Sequence, residues 1–190
     1  MLKILCILFA AFTSSLVFAG AQQNEPLSYG IKTLMQQSIS ETAESRSSFS
    51  NETEAKQWLN AMSMRIQKAM PDQTMREDFL RTVHYEASRA GLAPELVLGL
   101  IQVESGFKKY ALSSAGARGF MQVMPFWVAS IGAPEHNLFY LRTNLRYGCT
   151  ILRHYLDMAH GDLTRALGRY NGDVNHTNYA QSVISAWHRY

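Results

Sequence analysis

From about residue 53 to 70 apolar side chains return every three or four positions, at Trp58, Leu59, Met62, Ile66 and Met70. That spacing predicts one buried stripe on a helix that Pro71 stops. A second helix is expected over about 74–90, with Phe79, Leu80, Val83 and Ala87 facing inward and Gly91 at its C-terminal end. Pro94 suits the first turn of a third helix, about 94–105, and Glu95 complements the positive end of its dipole. Leu96, Val97, Leu98, Leu100, Ile101 and Val103 make this helix apolar nearly all round, which predicts a place at the centre of a domain. A glycine-bearing loop follows through Ser113, Ser114, Gly116 and Gly119, then an apolar stretch broken at Pro125, where a short helix restarts. Beyond Gly132 and Pro134, Leu145, Leu152, Leu156 and Ala159 form the inward stripe of a long helix over about 143–159. Asp162 caps a short helix over 163–170, residues 171–173 make a turn, and Tyr179, Val183, Ile184 and Trp187 mark a last helix. The chain has no internal repeat and no alternating strand longer than 120–123, so the expected fold class is mainly α.

Ahead of these helices the pattern is different. Residues 22–51 are rich in Ser, Gln, Glu and Thr with few large apolar side chains, and read as a tether or weakly ordered extension. Residues 1–21 combine Lys3, an apolar run over 4–12, and small residues Ala19 and Ala21 at the spacing of a signal peptidase site. Thr13, Ser14 and Ser15 interrupt the run well short of the roughly 20 apolar residues a membrane span requires, so a cleaved export signal is expected rather than an anchor. The resulting division is a signal peptide over 1–21, a polar extension with one amphipathic helix over 22–75, and a main domain over 76–190.

Composition narrows the partners. With 190 residues, 47% of them hydrophobic, the chain can bury one real core but not two large ones. Its net charge of +3, lowered to +2 when Lys3 leaves with the signal, is not gathered into a basic patch, so a nucleic-acid partner is not expected. Cys6 departs with the same segment and leaves Cys149 alone, which precludes an internal disulfide; the Cys and His spacing gives no zinc pattern. Met62, Met64, Met70 and Met75 fit core packing at helical spacing better than a soft-metal site, and no metal is expected.

Candidate chemistry centres on Glu104. It lies near the C-terminal end of the most apolar helix, one turn after Leu100 and Ile101, and Glu95, nine residues earlier, falls on the opposite side. Burial disfavours a carboxylate, and so does the negative end of a helix dipole. Both push toward a protonated acid near neutral pH, the form a general acid needs. A solvated glutamate at a frayed helix end is the plainer alternative.

The surrounding residues bear on that choice. Glu104-Ser105-Gly106-Phe107, Ser113, the run Gly116-Ala117-Arg118-Gly119-Phe120-Met121-Gln122-Val123-Met124-Pro125, and Tyr170-Asn171-Gly172 together resemble the signature of the lysozyme-like lytic transglycosylases of the bacterial cell wall, the soluble transglycosylase (SLT) family. The resemblance covers about 76–190, and Asn144 with Gly148 and Leu152 looks like the family's helix between the blocks. It implies a compact helical domain of lysozyme type, with Glu104 as the single catalytic acid and base at the floor of a glycan-binding groove. By the same resemblance Ser113, Gln122, Met124, Tyr170 and Asn171 line that groove, although Ser113 also reads as a turn former, Met124 as core and Tyr170 as a helix-end aromatic. Gln122 is polar in an apolar stretch and, if buried, needs partners that a sugar hydroxyl or acetamido group would supply.

The reaction implied is cleavage of the β-1,4 bond between N-acetylmuramic acid and N-acetylglucosamine with formation of a 1,6-anhydromuramyl end, with no cofactor. The expected partner is a peptidoglycan strand in the periplasm or cell envelope, the chain acting as a monomer, with a protein of an envelope machine as a second partner class. The family's Ala-Tyr-Asn-x-Gly block departs here to Arg169-Tyr170-Asn171-Gly172-Asp173, and the extra charges suit either a wall carboxylate for Arg169 or a pair with Asp173. Asp173 also keeps open a muramidase, in which a second carboxylate activates water, and a catalytically idle wall-binding scaffold is the alternative of a different class.

Overall fold

A computed structural model describes residues 22–40, 48–173, 175 and 177–190. The expected signal peptide, Cys6 included, lies outside the described residues, as does part of the expected tether. Among the described residues eight helices follow in chain order: α1 (Tyr29–Ser40), α2 (Glu52–Ile66), α3 (Gln73–Arg89), α4 (Pro94–Glu104), α5 (Phe126–Ile131), α6 (Leu141–Met158), α7 (Leu163–Asn171) and α8 (Asn178–Trp187). Among the described residues β pairing is limited to isolated bridges, Leu112 with Arg118 and Arg118 with Val123, so the stretch 120–123 contributes one bridged residue. Local chemistry starts the helices where the pattern placed them. Asn51 accepts from the Glu54 backbone N–H at 2.9 Å, Asp72 from that of Met75 at 2.8 Å and Asp162 from that of Arg165 at 3.0 Å.

The polar extension requires correction. The described residues of 22–75 carry α1, α2 and the start of α3, where the sequence pattern predicts one helix on a tether. Met35 and Ile39, one turn apart on α1, are buried against α5 and α6. Both belong to a helical series, Ile31, Leu34, Met35 and Ile39, of which Ile31 and Leu34 stay exposed at 37% and 65%. The expected divide at 75/76 falls inside α3.

Helix α4 lies at the centre, packed between α3 and α8, with Leu96, Val97, Leu98, Leu100 and Ile101 buried. Its approach to α8 depends on Gly99, where an added Cβ would stand 2.6 Å from the backbone N of Trp187. Ordinarily alanine is better than glycine in a helix by about 1 kcal/mol. Here overpacking, about 1–3 kcal/mol or more, outweighs that gain. Gly99→Ala should therefore lower stability, read as a lower urea midpoint; a higher midpoint would refute the close α4–α8 contact.

Helix α6 carries the loop that follows α4. A Cβ on Gly148 would meet the Met121 sulfur at 2.3 Å, so only glycine lets this loop settle on the helix. Buried Asn144 accepts from the Met121 N–H and donates to the carbonyls of Arg118 and Leu138, each at 2.8 Å. Helix α3 is joined to α6 through buried Glu86, which accepts from Arg146 at 3.0 Å and from Arg89 at 3.2 Å. Cys149 is fully buried on α6, and burial pushes its thiol well above the ordinary range, as befits a packing residue.

Candidate active site

Glu104 is the last residue of α4, and the chain turns sharply after it. Gly106 and Phe107 both adopt left-handed backbone, at φ 56° and 66°, and the Phe107 ring folds back to meet Phe79 edge-on at 5.9 Å. The carboxyl group is thereby held at the helix end but inside the protein, with 6% of the residue exposed. Glu95, at the other end of α4, accepts from the Trp58 indole at 2.5 Å, whereas Glu104 accepts at Oε1 from the hydroxyl of Tyr179 on α8. The two glutamates thus serve different neighbours, as their spacing predicts.

The second carboxyl oxygen, Oε2, is buried and has no hydrogen-bond partner. Desolvation raises the pKa of Glu104 to about 8, against a smaller lowering by the Tyr179 hydroxyl. At neutral pH the group is mostly the neutral acid, with its unpartnered oxygen free to carry the proton. Buried polar atoms without a partner are uncommon, and among the described residues the others are Asn171 Oδ1 and Arg153 Nε. Two of the three atoms thus belong to the motif read from the sequence.

The loop residues divide by what they touch. Ser113 builds the turn: its hydroxyl accepts from the Ala117 N–H and its own N–H donates to the Ala117 carbonyl, both at 3.0 Å. Gln122, at φ 49° and 2% exposed, donates its amide to the carbonyls of Gly119 at 2.9 Å and Ala111 at 3.2 Å. The sugar hydroxyl or acetamido group expected to satisfy that amide is replaced by backbone carbonyls, so Gln122 fixes the loop from within. Tyr170 is fully buried and donates to the Met121 carbonyl at 2.8 Å, and burial pushes its hydroxyl far up, with Glu104 adding to the rise. It supports the loop from below and presents no surface to a ligand. Met124 is half-buried with its side chain against the core, and its backbone N–H donates to the side chain of buried Gln22 at 3.2 Å. Asn171 ends α7 just before left-handed Gly172, at φ 83°.

Three contributors were not read from the sequence as site residues. Tyr179 counted only as an apolar stripe position, although a phenol on a buried face needs a polar neighbour. Trp127 and Gln22 meet at 3.0 Å, indole N–H to carboxamide oxygen, across 105 residues of chain. Arg169 reaches Glu25 at 3.4 Å, and Asp173 accepts from the Asn175 N–H at 3.2 Å. Among the described residues no three His, Cys, Asp or Glu side chains converge as a metal site would need. The arrangement offers one buried, mostly neutral carboxylic acid positioned by the Tyr179 hydroxyl: the equipment of a general acid.

Comparison with known proteins gives the family and the fold. The model of the transglycosylase SLT domain matches residues 81–184. A transglycosylase of Enterobacteria phage PRD1 is 35% identical over 104 residues, 55% of this chain and 38% of the phage protein. The membrane-bound lytic murein transglycosylase C of Actinobacillus pleuropneumoniae serotype 5b is 49% identical over 47 residues, 25% of this chain and 13% of that protein. The matched regions therefore span well under half of these relatives. An inactive mutant of the lytic transglycosylase Slt from Pseudomonas aeruginosa has a similar fold, with a TM-score of 0.52 at 21% identity over 70% of this chain and 27% of that one.

Proposed function

Because the chain belongs to the transglycosylase SLT domain family, we propose that it is a peptidoglycan lytic transglycosylase with Glu104 as its single catalytic acid and base. The observation that carries this reading is the buried Oε2 of Glu104, unpartnered on a group whose pKa is raised to about 8. Protonated Glu104 donates to the oxygen leaving C1 of N-acetylmuramic acid, and the bond from C1 to that oxygen breaks. The carboxylate then takes the proton of the muramyl 6-hydroxyl as its oxygen bonds to C1, which restores the acid and closes the 1,6-anhydro ring. The nucleophile belongs to the substrate and is held close to C1, so no activated water is required. Participation by the substrate's acetamido group lets one carboxylate suffice where most glycosidases use two. The chain acts on the wall from the periplasmic side, exported by its N-terminal segment, as a monomer. Of the residues the resemblance places in the groove, Asn171 retains a direct role toward the glycan, through its unpartnered Oδ1, and Met124 through its backbone N–H. Ser113, Gln122 and Tyr170 hold the loop that presents them.

Digestion of purified peptidoglycan in heavy-oxygen water separates the routes. Transglycosylation should leave the new ends unlabelled and each lighter by one water than a hydrolytic end, as read by mass spectrometry. Labelled reducing ends that vanish with Asp173→Asn would replace this mechanism with that of a muramidase.

A further inference from the structure

Residues 22–28 run without regular structure ahead of α1 and lie across the loop at 121–127 and the end of α7. Gln22 is 4% exposed, unusual for a polar residue outside any helix. Its Oε1 accepts from the Met124 N–H at 3.2 Å and from the Trp127 indole N–H at 3.0 Å, while its Nε2 donates to the Gln122 carbonyl at 3.3 Å. Its side chain also hydrogen-bonds Tyr170, the ring that neighbours Glu104. Two donors face one end of the amide and an acceptor the other, so the network itself fixes which end is oxygen. These groups define a receptor for a planar amide: a carbonyl held by two N–H groups and an amide N–H held by a backbone carbonyl. A 2-acetamido sugar presents the same pair of groups. Every sugar of a peptidoglycan strand carries one.

We propose, resting on the transglycosylase reading, that residues 22–25 are a self-inhibiting strap in which the Gln22 carboxamide stands in for the acetamido group of the glycan and must be displaced before a strand can bind. The same three groups cannot serve both amides, so the two states exclude each other. The remaining ties of the strap are built to release. Gln23 donates to the Gly172 carbonyl at 3.3 Å on the surface, and Glu25 meets Arg169 at 3.4 Å with both side chains partly in water. Contacts of that kind hold weakly. Gln22 is then the latch, and Leu27, packed against the core ahead of α1, is the fixed end. Apparent affinity falls by the fraction of molecules whose site is open. A strap docked nine-tenths of the time therefore weakens glycan binding about tenfold, and loss of the latch restores it.

The test compares the unaltered chain with Gln22→Ala and Gln22→Glu, using triacetylchitotriose as the acetamido probe in calorimetry and peptidoglycan turnover as a second readout. Glutamate keeps the acceptor but cannot donate to Gln122, so it separates loss of the amide from loss of bulk. Both variants should bind the trisaccharide about tenfold tighter and lower the KM for peptidoglycan similarly, with kcat changed less. The Trp127 indole N–H resonance should move on substitution of Gln22, and move in the unaltered chain when sugar is added. Unchanged affinity in both variants, or weaker binding at an unchanged melting temperature, would overturn the strap. Tighter binding without turnover in any of the three proteins would keep the strap and remove the transglycosylase reading. Turnover with unchanged KM and affinity would do the reverse.

Discussion

Glutamine in place of Glu104 should leave a folded protein whose peptidoglycan turnover is about three orders of magnitude lower. A general acid or base contributes about 10²–10⁴ in rate, and here one group serves in both capacities. Tyr179 donates to Oε1, an oxygen that glutamine keeps, so the position of the side chain survives while its transferable proton does not. The unaltered enzyme should show the complementary pH dependence. With a pKa raised to about 8, Glu104 is mostly protonated at pH 7, and kcat/KM should fall as pH rises through 8. Turnover retained by Glu104→Gln would place the chemistry elsewhere. A chain that binds the wall but never cuts it, with or without the substitution, would be the idle scaffold.

The elements visible in the sequence are those whose stripes are wide and whose ends are punctuated nearby. Helix α4 was legible because Leu96 to Ile101 leave it no polar face, and the position of Glu104 on the side away from Glu95 followed from helical spacing alone. Helix α1 carries the same period, at Ile31, Leu34, Met35 and Ile39, but the Ser and Gln around it weight the composition of 22–51 toward a tether, and the partners of its buried pair on α5 and α6 lie about a hundred residues away. The site divides in the same way. A buried acid at a helix end declares itself through its neighbours along the chain, whereas the partner of a buried amide or hydroxyl depends on what the fold brings to it.

Gln122 and Tyr170 show the limit of residue type as a guide. The resemblance places both in the groove, and Gln122 in addition as a polar side chain a sugar would satisfy, yet each bonds backbone carbonyls of the loop, those of Gly119, Ala111 and Met121. What that loop offers the Gln22 side chain is main chain, the Met124 N–H and the Gln122 carbonyl, which no pattern of side chains announces. The amide that meets them belongs to Gln22, 100 residues before Gln122.

Glu104→Gln should also make the protein more stable at neutral pH, on the order of a few kcal/mol, even as it removes activity. Folding raises the pKa of this carboxyl from an ordinary 4.5 to about 8. Between those values the native state holds a proton that the unfolded state has released, so stability falls as pH rises from about 4.5 to 8. Each unit of that interval at which folding opposes ionisation costs about 1.4 kcal/mol. Solvent relaxation around the acid makes the full product an upper bound. Glutamine does not ionise in either state, so the penalty disappears; its amide donors still sit where Oε2 had no partner, which offsets part of the gain. Urea unfolding of both proteins at pH 5 and pH 8 checks the sign, since the difference between them should be small at pH 5 and largest at pH 8. A difference that stays constant across that range would mean that Glu104 is ionised in the folded chain, and the protonated general acid would be lost with it.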